Sequence, residues 1–423
     1  MLNKRDIINF LFVSSFPLYG LGAFVSGTIS SSGGYLVAIF AHLLIIAFYL
    51  VDLVYLQNVE IKVNKFYYLF LLFQFTCVAS LFISLGKNLP SMNTLGAWSK
   101  SILGLVPFQA FVIFFLYNEK HKQSFVRLTF LSFGILLFIN LMGYFVLGMS
   151  NAIHSIEGRF NFPFLDGFYS GACLIAIMNL MLLSFIKKSF KDPIRLTYLI
   201  CYFVFNFVLL YYINSRLSLL IFLGVFIMFA FNLSRRFRGV FLVSFVFLPI
   251  LLNIGIFIYR VLSLPVFVAI IQRVDLADVT TFNGRSFIWQ RAIDWMMYDQ
   301  RGLWFGNGAS GHYFLHLLPD LAIKFGGSGS REESLHLHSA VLTTIMDQGI
   351  FGFALLLLVC YRIFAYYRTE FQKNNQEGIF FSVVVFLLFV MQVDTFAYFG
   401  TLGYAIMALL AARASLNLKA GEF

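Results

Sequence analysis

Charge is what this sequence has least of. Only 12% of its 423 residues are Asp, Glu, Lys or Arg, against 60% hydrophobic and 19% aromatic residues. A soluble domain carries about 25% charge and about 45–50% apolar residues. A water-soluble fold has no way to hide so much apolar surface, and a disordered chain needs the opposite composition. Strict alternation of polar and apolar positions is missing too, which removes a membrane-spanning strand barrel. Cysteine is scarce: Cys77, Cys173, Cys201 and Cys360 all fall inside apolar runs, so neither a disulfide nor a zinc motif is expected. No small-residue cleavage site follows Lys4 and Arg5, so the first apolar segment is expected to be a retained span. There is no internal repeat and no low-complexity tract.

What is there in abundance is apolar runs of about 18–25 residues, long enough to cross a bilayer as helices. The pattern predicts an all-α polytopic membrane protein with about 12 transmembrane helices. They fall near 8–26, 34–56, 66–85, 101–117, 125–147, 168–185, 196–212, 217–233, 240–258, 340–365, 379–393 and 396–410. Three regions follow: helices 1–9 over 1–261, one long loop over 262–338, and helices 10–12 over 339–423. The net charge of +11 would suggest nucleic acid in a soluble chain. Here the cations sit in short loops. Nineteen of the 30 Lys and Arg fall at one set of span ends and four in the short loops opposite. That bias predicts cytoplasmic N- and C-termini and an external long loop, with the bilayer rather than nucleic acid as the charge's partner. The loop is expected to be ordered. Ile288, Trp289, Ala292, Trp295 and Met296 recur at helical spacing, and their aromatic face suits a membrane interface.

Cations left on the external side need a reason. Arg216 follows Asn214 and Ser215 at the start of a span, Arg159 follows Glu157 and Gly158 in a short loop, and Arg285 opens the amphipathic helix. A cation in a first helical turn opposes the helix dipole, whereas an anion there would use the unbonded N–H groups. Arg suits phosphate because its fork donates two parallel hydrogen bonds. The three together suggest a site for a lipid phosphate or diphosphate. The plainer reading pairs each Arg with Asp275, Asp278 or Asp294, or lets it reach lipid headgroups. His312, His316, His336 and His338 cluster before the tenth span, and such a His can act as a general base near neutral pH. A metal site is the rival reading, but Tyr313 stands where a zinc-protease pattern needs Glu, and no metal or other cofactor is expected. His42, within an apolar span, reads as a buried structural residue. Gly306-Asn307-Gly308 reads as turn chemistry that folds the loop back over the membrane. No Asp-x-Asp pair occurs in the outer loops, which leaves Arg to neutralise a leaving group. A transporter or flippase is the reading from another class, yet no Lys or Arg sits mid-span where transport would place one.

Three stretches together resemble the O-antigen ligase and O-antigen polymerase superfamily. His338-Ser339-Ala340-Val341-Leu342 followed by Asp347-Gln348-Gly349-Ile350-Phe351-Gly352 is similar to its histidine motif. Gly284-Arg285 with the later Gly306-Asn307-Gly308, and Ser215-Arg216 at a span start, match its other patterns. Ser339 stands where the family commonly has Asn, and Asp347 where it usually has Glu. The resemblance implies a GT-C-like membrane glycosyltransferase whose donor is a glycan on undecaprenyl diphosphate. On that basis His338 is the base, and Arg285 and Arg216 hold the diphosphate as catalytic residues. Arg159, Arg291, His336 and Ser339 are candidate substrate contacts. The product is expected to be O-antigen or another surface polysaccharide polymerised from repeat units, with ligation to lipid A–core as the alternative. The setting implied is a bacterial inner membrane with the site facing the periplasm. A chain-length regulator or a flippase would be the protein partner.

Overall fold

The structure, a computed structural model, describes residues 3–56, 63–85, 104–118, 124–149, 160–165, 167–231, 239, 285–298, 300–308 and 337–416. Among them every regular element is helical. Eight helices run from α1 to α8: Lys4–Thr28, Ser31–Leu56, Lys65–Leu85, Val106–Tyr117, Ser124–Phe145, Gly167–Lys188, Pro193–Ile213 and Arg216–Ala230. Two shorter ones follow, α9 (Arg285–Tyr298) and α10 (Gln300–Phe305). The last three are α11 (Ala340–Gln372), α12 (Phe380–Val393, entered through a 3-10 turn at Gln376–Ile379) and α13 (Leu402–Ser415). Among the described residues eight segments are long and apolar enough to cross a membrane, and α4, α8 and α13 are shorter apolar helices. The chain is therefore an all-α polytopic membrane protein. The expected ninth span, 240–258, lies outside the described residues.

These helices form because the apolar runs are long and carry recognisable ends, and α1 continues through Pro17. Asp192 caps α7 by accepting from Arg195 N at 3.1 Å, with Pro193 in the first turn, where its missing N–H costs nothing. Thr401 caps α13 through Tyr404 N at 3.2 Å. The residues of 394–401 form a compact turn between α12 and α13, so the last span starts at Leu402 rather than near 396. Asp394 Oδ1 accepts from Phe396 N and Thr401 Oγ1 donates to Tyr398 O in that turn. Side-chain bonds of this kind hold an Asx-type turn where a helix otherwise continues.

Burial sorts the helices. All of α13 is buried and nearly all of α12, while α7 turns Ile194, Tyr198, Val204, Phe205 and Tyr212 outward. An apolar face of that length belongs against lipid rather than water. One aromatic-rich core joins α1–α8 and α11–α13. His42 is buried there, edge-on to Phe111 with ring centroids 5.0 Å apart. At the end of the bundle away from His338, Arg413 is buried and makes a bidentate pair with Glu377: Nε to the two carboxylate oxygens at 2.9 and 3.0 Å, and Nη2 at 2.7 Å. Tyr366 donates to the same carboxylate at 2.8 Å. Lys187 at this end donates to Phe229 O at 2.7 Å, a cation at the carboxyl end of α8, where the helix dipole favours it.

Candidate active site

Arg216 owes its position to a sharp reversal. Asn214 ends α7 in the left-handed region at φ 54°, a conformation Asn tolerates better than most residues. Ser215 then starts α8, so Arg216 is its first helical residue. Ser215 Oγ and Ser218 Oγ lie 2.9 Å apart, and Cys173 Sγ of α6 is 3.6 Å from Ser218 Oγ. The first turn of α8 is thereby seated against the start of α6.

Arg285 meets different partners from those its neighbours in sequence suggested. It is buried, 3% exposed. Its Nη1 donates to Val393 O, and its Nη2 donates to the Tyr169 hydroxyl at 2.7 Å. Asp394 Oδ2 lies 4.0 Å from Nη2, and the guanidinium sits over the Tyr169 ring at 5.3 Å. Asp294 is instead exposed and accepts from Gln290 at 2.7 Å, while Asp275 and Asp278 lie outside the described residues. Helix α9 buries Arg285, Ile288, Trp289 and Ala292 on one face and leaves Gln290, Arg291 and Asp294 exposed. Arg291 is therefore not gathered with Arg285. The Trp289 indole corrects the expectation of an interfacial aromatic face: it is buried and donates to Leu337 O at 2.8 Å. An indole N–H inside protein needs an acceptor, and the chain just before His338 supplies it.

His338 is held from both sides. Leu337 is fully buried under α9. On the other side Ser339 caps α11 by accepting from Leu342 N at 3.2 Å, and Ala340 N donates to Asp394 O at 3.0 Å. Between these anchors His338 takes φ 48° and is partly exposed. A bulky residue held in the left-handed region costs of order 1–3 kcal/mol and persists where its surroundings over-determine it. Ser339 itself is buried and engaged in the cap. His312, His316 and His336, and with them the weighed metal site, lie outside the described residues, as does Arg159.

Three sequence-predicted residues thus come to one end of the bundle. A small apolar cluster of Ile288, Trp289, Ala292, Leu337, Met346 and Val393 joins them, with Leu217, Ile221 and Leu342 packed against it. Around it the amino ends of α6, α8, α9 and α11 meet the carboxyl end of α12. Four amino ends bring partial positive charge to one place, and Arg216 and Arg285 add full charge. Sequence reasoning gave neither Tyr169 nor Asp394 a part in the site. An acid beside a span end, in a chain with 19 acids, was a usable signal for Asp394. Nothing distinguishes Tyr169 among 21 tyrosines.

Fold and site define a multi-pass helical membrane protein with a cationic, histidine-bearing site at one end. The family model described as O-antigen ligase matches residues 201–357, a stretch that includes Arg216, Arg285 and His338. Over that stretch, a little over a third of the chain, the protein is similar to the O-antigen ligase family. No curated protein matches the chain.

Proposed function

We propose that the protein transfers a glycan from undecaprenyl diphosphate to a sugar hydroxyl, joining repeat units into a surface polysaccharide. The observation that carries this reading is the convergence of Arg216, Arg285 and His338 with four helix amino ends. His338 takes the proton from the acceptor hydroxyl as its oxygen attacks the anomeric carbon. The bond from that carbon to the diphosphate oxygen breaks, and its electron pair leaves with undecaprenyl diphosphate. Arg216, the guanidinium N–H groups of Arg285 beyond those bonded to Val393 and Tyr169, and the helix amino ends stabilise the growing charge. No metal or cofactor takes part in these steps. Arg159, Arg291, His336 and Ser339 remain proposed substrate contacts; Ser339 would act chiefly through the backbone it caps.

In this reading the protein sits in a bacterial inner membrane, with both termini cytoplasmic and the site facing the periplasm. The loop region 262–338 supplies Arg285 and His338, and the flanking helical regions supply the frame. A flippase delivers its donor, and a chain-length regulator sets the product. Ligation of finished polymer to lipid A–core is the second reading, favoured by the description of the matched family as O-antigen ligase.

Complementation of a polymer-deficient strain with His338→Ala, at matched protein levels, separates these readings through the polysaccharide ladder. A polymerase loses the ladder and keeps a single repeat on lipid A–core. A ligase loses even that band and accumulates polymer on undecaprenyl diphosphate. An unchanged ladder removes His338 as the base.

A further inference from the structure

Helix α11 has 33 residues, about 50 Å at 1.5 Å per residue, well over the ~30 Å of a bilayer core. It is not continuous. Gly349, at φ 70° and ψ −174°, breaks it nine residues after its start. A break frees carbonyls of the preceding turn, and in a buried setting they need donors. The segment Gly306-Asn307-Gly308 supplies them. Asn307 N donates to Met346 O at 2.9 Å, Gly308 N donates to Asp347 O at 3.0 Å, and Asn307 Nδ2 donates to Met346 O at 3.2 Å.

The fit is backbone against backbone. A Cβ on Gly349 would stand 2.3 Å from Trp304 O, and one on Gly306 would stand 2.2 Å from Asp347 O. Both glycines have positive φ, so each position is closed to other residues by conformation as well as by space. Asp347 is fully buried and accepts from the Tyr398 hydroxyl, while Gln348 Nε2 reaches Cys77 Sγ at 3.1 Å and Thr76 Oγ1 donates to Gln348 Oε1 at 3.2 Å. The break is therefore anchored to α3 and to the α12–α13 turn. Burial, together with the Asp347 carboxylate, pushes the Tyr398 hydroxyl above its usual range, so it keeps the proton it donates.

The α9–α10 pair is thus attached twice: by Trp289 to Leu337, beside His338 and just ahead of α11, and by Asn307 and Gly308 to α11 at the break. Trp295 packs on Gly302 between the two attachments. We propose that the Gly306–Gly308 segment and the Gly349 break form a lock that sets Arg285 against His338, with Asn307 as a positioning residue. The proposal rests on the reading of Arg285 and His338 as the reacting site. Fixing two groups that lie on different chain segments needs more than one attachment, because a single hydrogen bond leaves the two helices free to pivot. A displacement of about 1 Å in such a pair costs up to about a hundredfold in rate.

The test uses the full-length protein. Hydrogen exchange of the 300–308 region, the thermal midpoint in detergent and the polysaccharide ladder are measured for Asn307→Ala, Asn307→Ser and Gly349→Ala. Asn307→Ala should speed exchange in 300–308, leave protein level and thermal midpoint near wild type, and cut the ladder at least about tenfold. Asn307→Ser, which keeps a donor, should recover part of the loss. Gly349→Ala should release the segment more fully. The proposal is overturned by unchanged exchange in Asn307→Ala, by a full ladder despite faster exchange, or by a loss that only follows protein level. His338→Ala serves as the separate control. If that variant is active, the catalytic reading fails whatever the exchange data show.

Discussion

At the scale of single residues, the site depends on how one buried guanidinium is divided among its partners. Arg285 binds a carbonyl and a phenol and lies near a carboxylate, a set that needs a planar fork. Lysine carries the same charge on a point-like ammonium and cannot reproduce it. Arg285→Lys should therefore lose the ladder almost as fully as Arg285→Ala, measured at matched protein levels in the complementation assay. Tyr169→Phe keeps the ring under the guanidinium and removes only the 2.7 Å bond. A hydrogen bond to a charged group contributes about 1.5–3 kcal/mol, so the Tyr169→Phe ladder should fall roughly ten- to a hundredfold and stay above that of Arg285→Lys. Equal ladders for Tyr169→Phe and wild type would show that the phenol does not orient Arg285. Arg216 was legible from sequence because cations are sparse in the short loops expected on that side, and His338 because the stretch it opens resembles the family's histidine motif. Trp289 was not, since an aromatic residue on an amphipathic helix serves a membrane interface or a protein core equally well.

At the scale of elements, the start of α11 decides where His338 points. The Ser339 cap and the Ala340–Asp394 hydrogen bond act on the two residues that follow it. Removing an N-cap side chain costs about 1 kcal/mol, modest against the whole fold but applied next to a residue already at positive φ. Ser339→Ala should lower the ladder while shifting the thermal midpoint little, and Ser339→Asn, a comparable cap, should restore it. If Ser339→Asn fails as completely as Ser339→Ala, the hydroxyl does something other than capping. The existence of nearly every helix was legible from hydropathy, because a bilayer core imposes one length on every crossing. The Gly349 break was not. A lone Gly inside an apolar run costs a helix about 1 kcal/mol and does not by itself stop it. The break becomes visible only once Trp304 and Gly306 are seen to occupy the space beside Gly349.

At the scale of the whole molecule, the two ends of the bundle do different work. The end with Arg413 and Glu377 is held by a buried, doubly bonded ion pair. Breaking one side of such a pair leaves the other charge buried and costs about 3–5 kcal/mol. Glu377→Gln should therefore lower the thermal midpoint and the folded yield, measured by size exclusion after heating, with the ladder per folded molecule unchanged. Replacing both partners by apolar residues should recover much of the stability; a double variant no better than Glu377→Gln would argue against the pair as the cause. The orientation proposed from charge can be checked separately. A periplasm-dependent phosphatase fused in the 394–401 turn should be active, and one fused near Asn374 should be inactive.

Composition alone determined that this chain is a multi-pass helical membrane protein, because so much apolar surface has no other solvent. Local sequence also singled out Arg216 and Arg285, because charge is conspicuous against that background, and His338, through its resemblance to the family's histidine motif. The tertiary structure alone decided who their partners are. Tyr169, Val393 and Asp394 reach Arg285 from 108 or more residues away along the chain, and Asn307 meets Met346 across 39. Hydrogen bonds and buried charges are satisfied by whatever lies close in space, and no local pattern in a sequence records that distance.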